Sequence, residues 1–287
     1  MPIKINNAPS VMGIINLSHD SFFQSISNYS DALKKAEQMV RDGASIIDIG
    51  AIATNPKINI ALETPSEQAE LDLLIPFVEQ VSKKIDIIIS VDTYRARVMQ
   101  EAVNAGATMI NDQRALTEEN ALNAAVKLNV PICLMHHFNP PRSAVEIAEA
   151  VDTRVERDEV ERNKRCSILL HQIKNDLQQY TQRCLPAGIK KENIIIDPGF
   201  GGGNFGKSPK ENFYLLAHLK AFTDLGFPVL VGLSRKSMFA EIQANPEDRL
   251  AASVAAAVIA VQNGASIIRA HDAKEMVDAI KVLMRMG

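Results

Sequence analysis

Eight short apolar runs constrain the fold of this chain more than any other feature of its sequence. Each run is rich in β-branched residues and almost continuously apolar. Parallel strands that are buried on both faces have this pattern, because both sides of the strand meet apolar neighbours. In chain order the runs read VMGIIN, SIIDIG, DIIISVD, TMIND, PICLMHH, NIIID, PVLVGLS and SIIRAHD.

The stretches between the runs have helical patterns, such as SDALKKAEQMVRDG and RARVMQEAVNAG. Several of them end in glycine, as helices with a C-terminal cap do. Eight strands that alternate with helices predict an α/β fold, a (β/α)8 TIM barrel, formed by residues 1–287 as one domain. An open doubly wound sheet is the competing architecture, because the order of strands cannot be read from the sequence.

One stretch departs from the regular alternation, and it covers about residues 139–186. Its middle part, residues 152–184, is a long and highly charged helical pattern. Such a pattern is typical of a solvated helix. We therefore predict a charged helical insertion in this part of the barrel.

Charge and composition exclude several classes of partner. The formal net charge is −3, which gives no basic excess for binding nucleic acid. The N-terminal residues lack the apolar segment of a signal peptide, and no run is long enough to span a bilayer. Three widely spaced cysteines suit a reducing compartment and give no metal-site spacing. We expect a cytoplasmic protein that binds neither nucleic acid nor membranes.

Polar residues occur at or near the end of every apolar run. A single such residue is more often a cap for the next helix, and Asp48 also suits a buried hydrogen-bonding role inside the barrel. Asp112 suits an ordinary loop acid. Eight polar residues together predict a ligand site, because all strand ends of a (β/α)8 barrel meet at one face. They are Asn16, Asp48, Asp92, Asn111, His136, Asp197, Ser234 and His271.

Three of these residues suit the recognition of a flat heterocycle. Asp92, Asn111 and Asp197 supply carboxylates and an amide, which match a ring edge that carries several N–H groups and ring nitrogens. The segment GFGGG, which follows Asp197 and the sixth apolar run, would let backbone or ligand approach closely, because glycine has no side chain.

Cationic residues near the last two runs suit an anion. Arg269 and His271 flank Ala270, so in a strand they share one face and favour a phosphate or pyrophosphate. Lys236 adds a second cation after the seventh run. The sequence contains neither the P-loop pattern nor a dinucleotide-binding glycine pattern, and it suggests no hydrolytic triad.

Motifs in these same segments resemble those of the dihydropteroate synthases, the folate-pathway enzymes that sulfonamides inhibit. The segment MGIINLSHDSF is similar to the family's first motif. The motifs SVDT, IND, LMH, DPGFG, FGK, SRKS and IRAHD then follow in the family's order. The resemblance extends over nearly the whole chain and also implies a (β/α)8 barrel.

The resemblance implies an activity and a set of site residues. These enzymes condense dihydropterin pyrophosphate with p-aminobenzoate, release pyrophosphate, use Mg²⁺ and are usually homodimers. The implied pterin-binding residues are Asp92, Asn111, Met135, Asp197 and Lys236. The implied p-aminobenzoate-binding residues are Thr54, Pro56, Phe205 and Ser237. The implied pyrophosphate-binding residues are Asn16, Thr54, Arg269 and His271. Asn16 is also the implied magnesium ligand. The implied catalytic residues are Asn16, Lys236, Arg269 and His271.

Two loops depart from the family pattern. Gln24 replaces an acid in the first loop, which also lacks the usual glycines, and Asn55 replaces an arginine in the second. Residues Gly202 to Asn204 are an apparent insertion before the FGK motif. The second loop is similar to that of the sulfonamide-insensitive branch of the family.

These departures leave other functions open. A catalytically silent paralogue would bind pterins without turning them over. The pterin-binding module of a corrinoid methyltransferase shares the barrel and would bind methylated folates. We rank this last reading lowest, because the chain carries no cobalamin-binding domain.

Overall fold

The computed structural model describes residues 9–17, 29–51, 65–149 and 159–286. Eight parallel strands form one sheet in the order β6-β5-β4-β3-β2-β1-β8-β7. Their bounds are β1 Ser10–Asn16, β2 Ile46–Gly50, β3 Ile88–Asp92, β4 Met109–Asp112, β5 Ile132–Met135, β6 Ile194–Asp197, β7 Leu230–Gly232 and β8 Ile267–Ala270.

The sheet closes into a barrel between β6 and β7. Ile196 and Val229 form a single parallel bridge there, and the Ile196 N–H donates to the Pro228 carbonyl at 3.0 Å. The strand order is sequential around the barrel, with β1 paired to both β2 and β8. A doubly wound sheet would need a reversal of that order. The predicted (β/α)8 barrel is therefore confirmed, and the alternative architecture is wrong.

Helices pack around the strands in the described part of the chain. Their bounds are α1 Tyr29–Arg41, α2 Glu67–Lys84, α3 Ala96–Asn104, α4 Ala121–Leu128, α5 Ala144–Glu149, α6 Glu159–Ala187, α7 Pro209–Ala217, α8 Lys220–Thr223, α9 Leu250–Gln262 and α10 Ala273–Leu283. Gly43 and Gly106 follow α1 and α3 with φ of 101° and 114°, which confirms the predicted glycine caps. No helix within the described ranges has the length and apolar character needed to cross a membrane.

The interior of the barrel is layered, and this layering positions the site. Side chains two residues apart on a strand share one face. A buried apolar layer comes first and consists of Met12, Ile46, Ile88, Met109, Cys133, Ile195, Leu230 and Ile267. The residues two positions further along six of these strands are Asp48, Ser90, Asn111, Met135, Asp197 and Arg269. The polar residues of the site thus lie in the layer directly next to this apolar layer.

Two predicted strand ends need correction. Asp48 is the third of the five residues of β2, and therefore lies inside the barrel, because β2 continues to Gly50. Ser234 lies two residues beyond β7, which ends at Gly232. The other polar residues of the set lie within one residue of the end of their strand.

The long helix α6 occupies most of the stretch predicted as an insertion. One side of it is buried through residues spaced three or four apart: Cys166, Leu169, Leu170, Ile173, Leu177, Thr181 and Cys184. These residues belong to the helix that packs on β5, α4 and α7. This part of the stretch is thus the regular barrel helix between β5 and β6, and the boundaries of an insertion remain a prediction.

Candidate active site

An arginine and two aspartates form a buried ion-pair network inside the barrel. Arg269 on β8 donates from Nε to Oδ2 of Asp48 at 2.6 Å and from Nη2 to Oδ2 of Asp92 at 2.8 Å. Burial disfavours the cation, but the charges of Asp48 and Asp92 outweigh it and raise the pKa of Arg269 above its ordinary value. The guanidinium carries further N–H groups, so it retains donors for a ligand.

The remaining acceptor positions of Asp48 are also used. Oδ1 accepts the Ser90 hydroxyl at 2.6 Å, and Oδ2 accepts the Asn111 Nδ2 amide at 3.1 Å. A carboxylate buried without such donors would be costly. With its amide nitrogen on Asp48, Asn111 retains its carbonyl oxygen as an acceptor.

Asp92 is the last residue of β3 and lies at the carboxyl end of the barrel strands. Its two carboxylate oxygens accept Nε2 of Gln113 at 2.9 and 2.8 Å. Burial raises the pKa of Asp92 to about 7, although Arg269 acts in the opposite direction. A methyl group on Gly50 would lie 3.4 Å from Cβ of Asp92 and 3.7 Å from Oδ1 of Asn16. The glycine therefore leaves a small recess between these two side chains.

Asp197 ends β6 and is held by the turn that follows it. Its Oδ1 accepts the backbone N–H of Gly199 at 2.7 Å. Burial raises the pKa of Asp197 to about 6, while this hydrogen bond and the charges of Lys236 and Lys207 act in the opposite direction. Gly199 has a φ of 71°, and a side chain there would lie 2.4 Å from the His136 carbonyl oxygen. Glycine is therefore required at the turn.

The glycine-rich loop packs on the cationic end of β7. Lys236 Nζ lies 3.7 Å from the centre of the Phe205 ring. Gly201 has a φ of 135°, and a side chain there would lie 2.8 Å from the Phe205 ring and 3.4 Å from Lys236 Nζ. A side chain at Gly202 would lie 2.9 Å from Oγ of Ser237. The predicted close approach at these glycines is thus made by protein groups.

Burial also lowers the pKa of Lys236 to about 8, and the neighbouring charge of Arg269 acts in the same direction. Asp197 and Asp92 both act against this shift. Both carboxylates that are predicted to bind the pterin therefore stabilise the charged form of Lys236.

A second lysine, Lys207, is fully buried beneath the loop. Its Nζ donates to the carbonyls of Gly199 at 2.7 Å and Phe205 at 3.2 Å, and lies 3.5 Å from Nδ1 of His136. Burial lowers the pKa of Lys207 to about 7. Fully buried lysines are uncommon unless their ammonium group has partners, and here backbone carbonyls supply most of them.

His271 follows β8 and contacts Ser234. Burial lowers the pKa of His271 to about 3, and the charge of Arg269 acts in the same direction. The imidazole is therefore neutral near pH 7. The Ser234 hydroxyl oxygen accepts the backbone N–H of His271 at 3.3 Å and lies 3.1 Å from Nδ1. That hydroxyl can donate to Nδ1, which leaves Nε2 protonated as a neutral donor for an anion.

The structure brings most of the predicted site residues to one end of the barrel. Asp92, Asn111 and Arg269 share the ion-pair network, and Asp197 and Lys236 interact with that arginine through their charges. Met135 pairs in register with Asp197. The predicted residues Thr54 and Pro56, and the departures at Gln24 and Asn55, lie outside the described residues.

Three contacts of this site were not predicted from the sequence. Gln113 had no distinguishing signal, because its role depends on the side chain reaching back to Asp92. Lys207 lies in the FGK motif, of which only Phe205 was assigned. Asp48 was recognised as a possible buried hydrogen-bonding residue, and its pairing with Arg269 became visible only in the barrel.

The oxygen of Asn16 fits the kind of ligand that Mg²⁺ takes. Mg²⁺ binds oxygen atoms and often keeps waters, with few protein ligands beside substrate phosphates. Asn16 ends β1, and its Oδ1 borders the recess at Gly50. Within the described ranges, no group of three or more histidine, cysteine or acidic residues could hold a metal. Asn16 would therefore supply one oxygen ligand to such an ion.

The chain is similar in sequence and fold to known pterin enzymes. The sequence profile described as "Pterin binding enzyme" matches residues 12–271. The dihydropteroate synthase of Haemophilus influenzae is 43% identical over 279 residues, which cover 96% of this chain and 93% of the relative. The Escherichia coli dihydropteroate synthase is 41% identical over 278 residues, covering 96% of this chain and 90% of the relative.

Solved structures agree. A dihydropteroate synthase from Coxiella burnetii in complex with pteroic acid matches with a TM-score of 0.85 and 45% identity, covering 98% of this chain and 94% of that chain. The Yersinia pestis dihydropteroate synthase with a sulfonamide drug complex matches with a TM-score of 0.82 and 39% identity, with the same coverage. The chain therefore belongs to the family of pterin-binding enzymes and, within it, to the dihydropteroate synthases, which are transferases.

Proposed function

We propose that this protein condenses 6-hydroxymethyl-7,8-dihydropterin pyrophosphate with p-aminobenzoate, giving 7,8-dihydropteroate and pyrophosphate. One observation carries the proposal: the buried acceptors Asp92, Asn111 and Asp197 share one barrel end with the partly buried cations Arg269 and Lys236. The acceptors suit the N–H groups of a pterin edge, and the cations suit an anionic leaving group.

The pterin is held by carboxylates on two sides of the barrel. Asp92 and Asp197 accept N–H groups of the ring, and the carbonyl oxygen of Asn111 supplies a third acceptor. Met135 packs on the plane of the ring, where its flexible apolar side chain adapts to the surface. Lys236 donates to the ring and separates it from the second substrate.

The pyrophosphate is bound by donors from β1 and β8. Arg269 donates N–H groups in addition to those that it gives to the aspartates, and neutral His271 donates from Nε2. Thr54 contributes from the second loop. Asn16 holds the Mg²⁺ ion, which when bound would neutralise charge on the pyrophosphate.

The p-aminobenzoate lies against Phe205 and Lys236, with Ser237, Thr54 and Pro56 around it. The aromatic ring of Phe205 offers a flat apolar surface, and Lys236 supplies a cation beside it. These two residues belong to different loops, so the subsite forms where the glycine-rich loop meets the end of β7.

The reaction is a substitution at the pterin methylene carbon. The bond from this carbon to the pyrophosphate oxygen breaks, and the bond to the neutral aniline nitrogen forms, after which the nitrogen loses a proton. Arg269 and His271 stabilise the charge that the leaving group carries away. The pterin ring shares the positive charge that develops on the methylene carbon, so no covalent intermediate with the protein is needed.

The turnover assay tests this proposal most directly. Purified protein is given dihydropterin pyrophosphate, p-aminobenzoate and Mg²⁺, and pyrophosphate release is measured. We expect release that depends on both substrates and stops when the metal is chelated and resumes when Mg²⁺ is restored. No release above a blank without protein would contradict the proposal.

A catalytically silent pterin-binding protein is the second candidate, favoured by the changes at Gln24 and Asn55. It would bind a pterin tightly, release no pyrophosphate and fail to rescue a cell that lacks the synthase. Measurable condensation would eliminate it. The corrinoid methyltransferase reading ranks lower still, and a failure to bind methyltetrahydrofolate would discard it.

Reduced sulfonamide sensitivity is a finer part of the proposal. An amide at Asn55 lacks the charge of the family's arginine, and the resemblance implies that a sulfonyl group projects further toward these loops than a carboxylate does. We expect weaker sulfonamide inhibition than in an enzyme with the usual loops. Asn55→Arg alone should restore it only in part, because Gln24 and the missing glycines remain. Inhibition constants for the wild type, the variant and such an enzyme, measured under identical conditions, decide this; equally tight wild-type inhibition would contradict it.

Assembly as a homodimer and location in the cytoplasm complete the proposal. Homodimer formation is supported by the resemblance to the family, and sedimentation velocity tests it. A cytoplasmic location is supported by the composition and by the three scattered cysteines, and cell fractionation tests it.

A further inference from the structure

Lys207 is a buried cation to which the proposed reaction assigns no role. It belongs to the FGK motif, directly before the N-terminal cap of α7, Ser208. Among the described residues, its Nζ has three hydrogen-bond partners: the Gly199 carbonyl at 2.7 Å, the Phe205 carbonyl at 3.2 Å and Nδ1 of His136 at 3.5 Å. The first two partners stand at opposite ends of the glycine-rich loop. A single ammonium group therefore joins both ends of that loop.

His136 is arranged as an acceptor for this ammonium group. Burial lowers the pKa of His136 to about 2, so the ring is neutral. An ammonium group can only donate, so Nδ1 accepts from Lys207. The ring proton then lies on Nε2, which is 3.3 Å from Oδ2 of Asp176 and donates to it. These two hydrogen bonds fix the orientation of the imidazole. They also keep its N–H on the side of Asp176, so that Nδ1 faces the lysine as an acceptor.

The two loop residues that Lys207 holds lead to both substrate subsites. The Gly199 N–H donates to Asp197, and Phe205 presents its ring to Lys236. We propose that Lys207 is a positioning residue for the pterin and p-aminobenzoate subsites, because its ammonium group joins the Gly199 and Phe205 ends of the loop that holds Asp197 and presents Phe205 to Lys236. This inference rests on the proposed function, because it takes Asp197 as the pterin acceptor.

The charge of Lys207 gives this arrangement a pH dependence, which is set by the titratable and charged groups around Lys207 and Asp197. Asp197 is acted on by Lys236, Lys207 and Arg269. The charges that act on Lys207 are those of Asp197, Glu211, Lys236 and Arg142. Asp197 must be anionic to accept an N–H from the pterin, so binding is lost as the pH falls through its pKa. Removal of the lysine charge raises that pKa, which moves the loss of binding to higher pH.

The experiment compares the wild type with Lys207→Met and Lys207→Gln. The affinity for 6-hydroxymethylpterin is measured by calorimetry between pH 5 and pH 8. For both variants we expect the acid loss of pterin binding to move to higher pH than in the wild type, because the pKa of Asp197 rises from about 6. For a rise of about one unit, the ratio of wild-type to variant affinity would be about fivefold larger at pH 6 than at pH 8. Lys220→Met, which removes an exposed lysine on α8, is the matched control and should match the wild type.

The two variants separate the charge from the loop contact. Glutamine keeps a donor for the Gly199 carbonyl but has no charge, so Lys207→Gln should raise the KM for p-aminobenzoate less than Lys207→Met does. Thermal unfolding checks that each variant folds, and if Lys207→Met does not, Lys207→Gln still provides the pH comparison.

The outcomes are distinct. An unchanged acid midpoint in a folded variant, while the wild type binds the pterin, would overturn this inference alone. Equal KM values for p-aminobenzoate in the wild type and both variants would overturn the loop contact. Absence of pterin binding by the wild type at every pH would overturn the proposed function together with the inference.

Discussion

Asp92 and Asp197 are both buried carboxylates at the same barrel end, but the structure holds them in different ways. Asp92 is bound by side chains from other elements, since Arg269 comes from β8 and Gln113 follows β4. Asp197 is bound by the backbone of its own loop, two residues further along the chain, at Gly199. One carboxylate is therefore fixed by the register of the barrel and the other by a local turn.

This difference separates stability from binding. A change in the network around Asp92 leaves buried charges unpaired within the barrel, so it should affect the free energy of unfolding. A change at Asp197 leaves a backbone N–H without its acceptor in a loop, which the rest of the fold can tolerate better. We therefore expect this end of the barrel to have two parts. The structural half, around Asp92, supports folding, and the recognition half, at Asp197, binds the ligand.

The strongest way to break this comparison is Asp48→Asn. The Asp48 carboxylate accepts three donors, from Ser90, Asn111 and Arg269. An amide places an N–H against one of these donors and removes the charge that pairs with Arg269. We expect the free energy of unfolding to fall by about 3 kcal/mol, as when one partner of a buried ion pair is removed. Urea unfolding measures it.

Asp278→Asn is the matched control for that substitution. Asp278 pairs with Lys274 on the exposed face of α10 at 2.7 Å. Exposed pairs of this kind contribute little to the free energy of unfolding, because water and salt screen them. If Asp48→Asn were no more destabilising than the control, the network would have no special structural role.

The second substitution, Asp197→Ala, tests the recognition half. It removes the pterin acceptor, so we expect a loss of about 1–3 kcal/mol in pterin affinity by calorimetry. Its effect on the free energy of unfolding should be smaller than that of Asp48→Asn. Equal pterin affinity in wild type and variant would assign Asp197 to the turn alone. Asp224→Asn, an exposed acid after α8, serves as the control.

The smallest expected effect sharpens the comparison through pH. The hydrogen bonds from Gln113 lower the pKa of Asp92, against the effect of burial, which raises it to about 7. Gln113→Leu removes those donors, so the pKa should rise and pterin binding should be lost at higher pH than in the wild type. We expect roughly twofold to threefold weaker binding at pH 7 and little difference at pH 8.5. Identical calorimetric pH profiles would show that Gln113 does not tune Asp92.

The sequence predicted the barrel because burial on both faces leaves a strong mark, a continuous apolar run. It also predicted which strands carry the site, since a polar residue beside such a run is conspicuous. It left Asp48 open between the end of a strand and a position inside the barrel. SIIDIG is compatible with a strand that ends at the acid or one that passes through it, and the pairing of Ile49 with Ile15 and Val91 shows that the strand continues.

The partners within the site were harder to predict for a physical reason. Lysine is normally exposed, so nothing in FGK indicates that Lys207 is fully buried. The contact between Arg269 and Asp48 joins residues 221 positions apart, and no local pattern encodes it. Residue types that can bind a pterin are legible in the sequence, whereas the counter-charges that hold them become visible only when the barrel closes.

The single bridge between β6 and the start of β7 has a consequence for local opening of the barrel. Five residue pairs are in register between β1 and β2, whereas among the described residues a single bridge, Ile196 with Val229, joins β6 to the segment that leads into β7. Asp197 stands on one side of this seam and Lys236 on the other. Amides along the seam should exchange with deuterium sooner than those of β1 and β2. We expect a ligand that binds both residues to connect the two sides of this seam. Binding would therefore slow amide exchange there as well as fill the site.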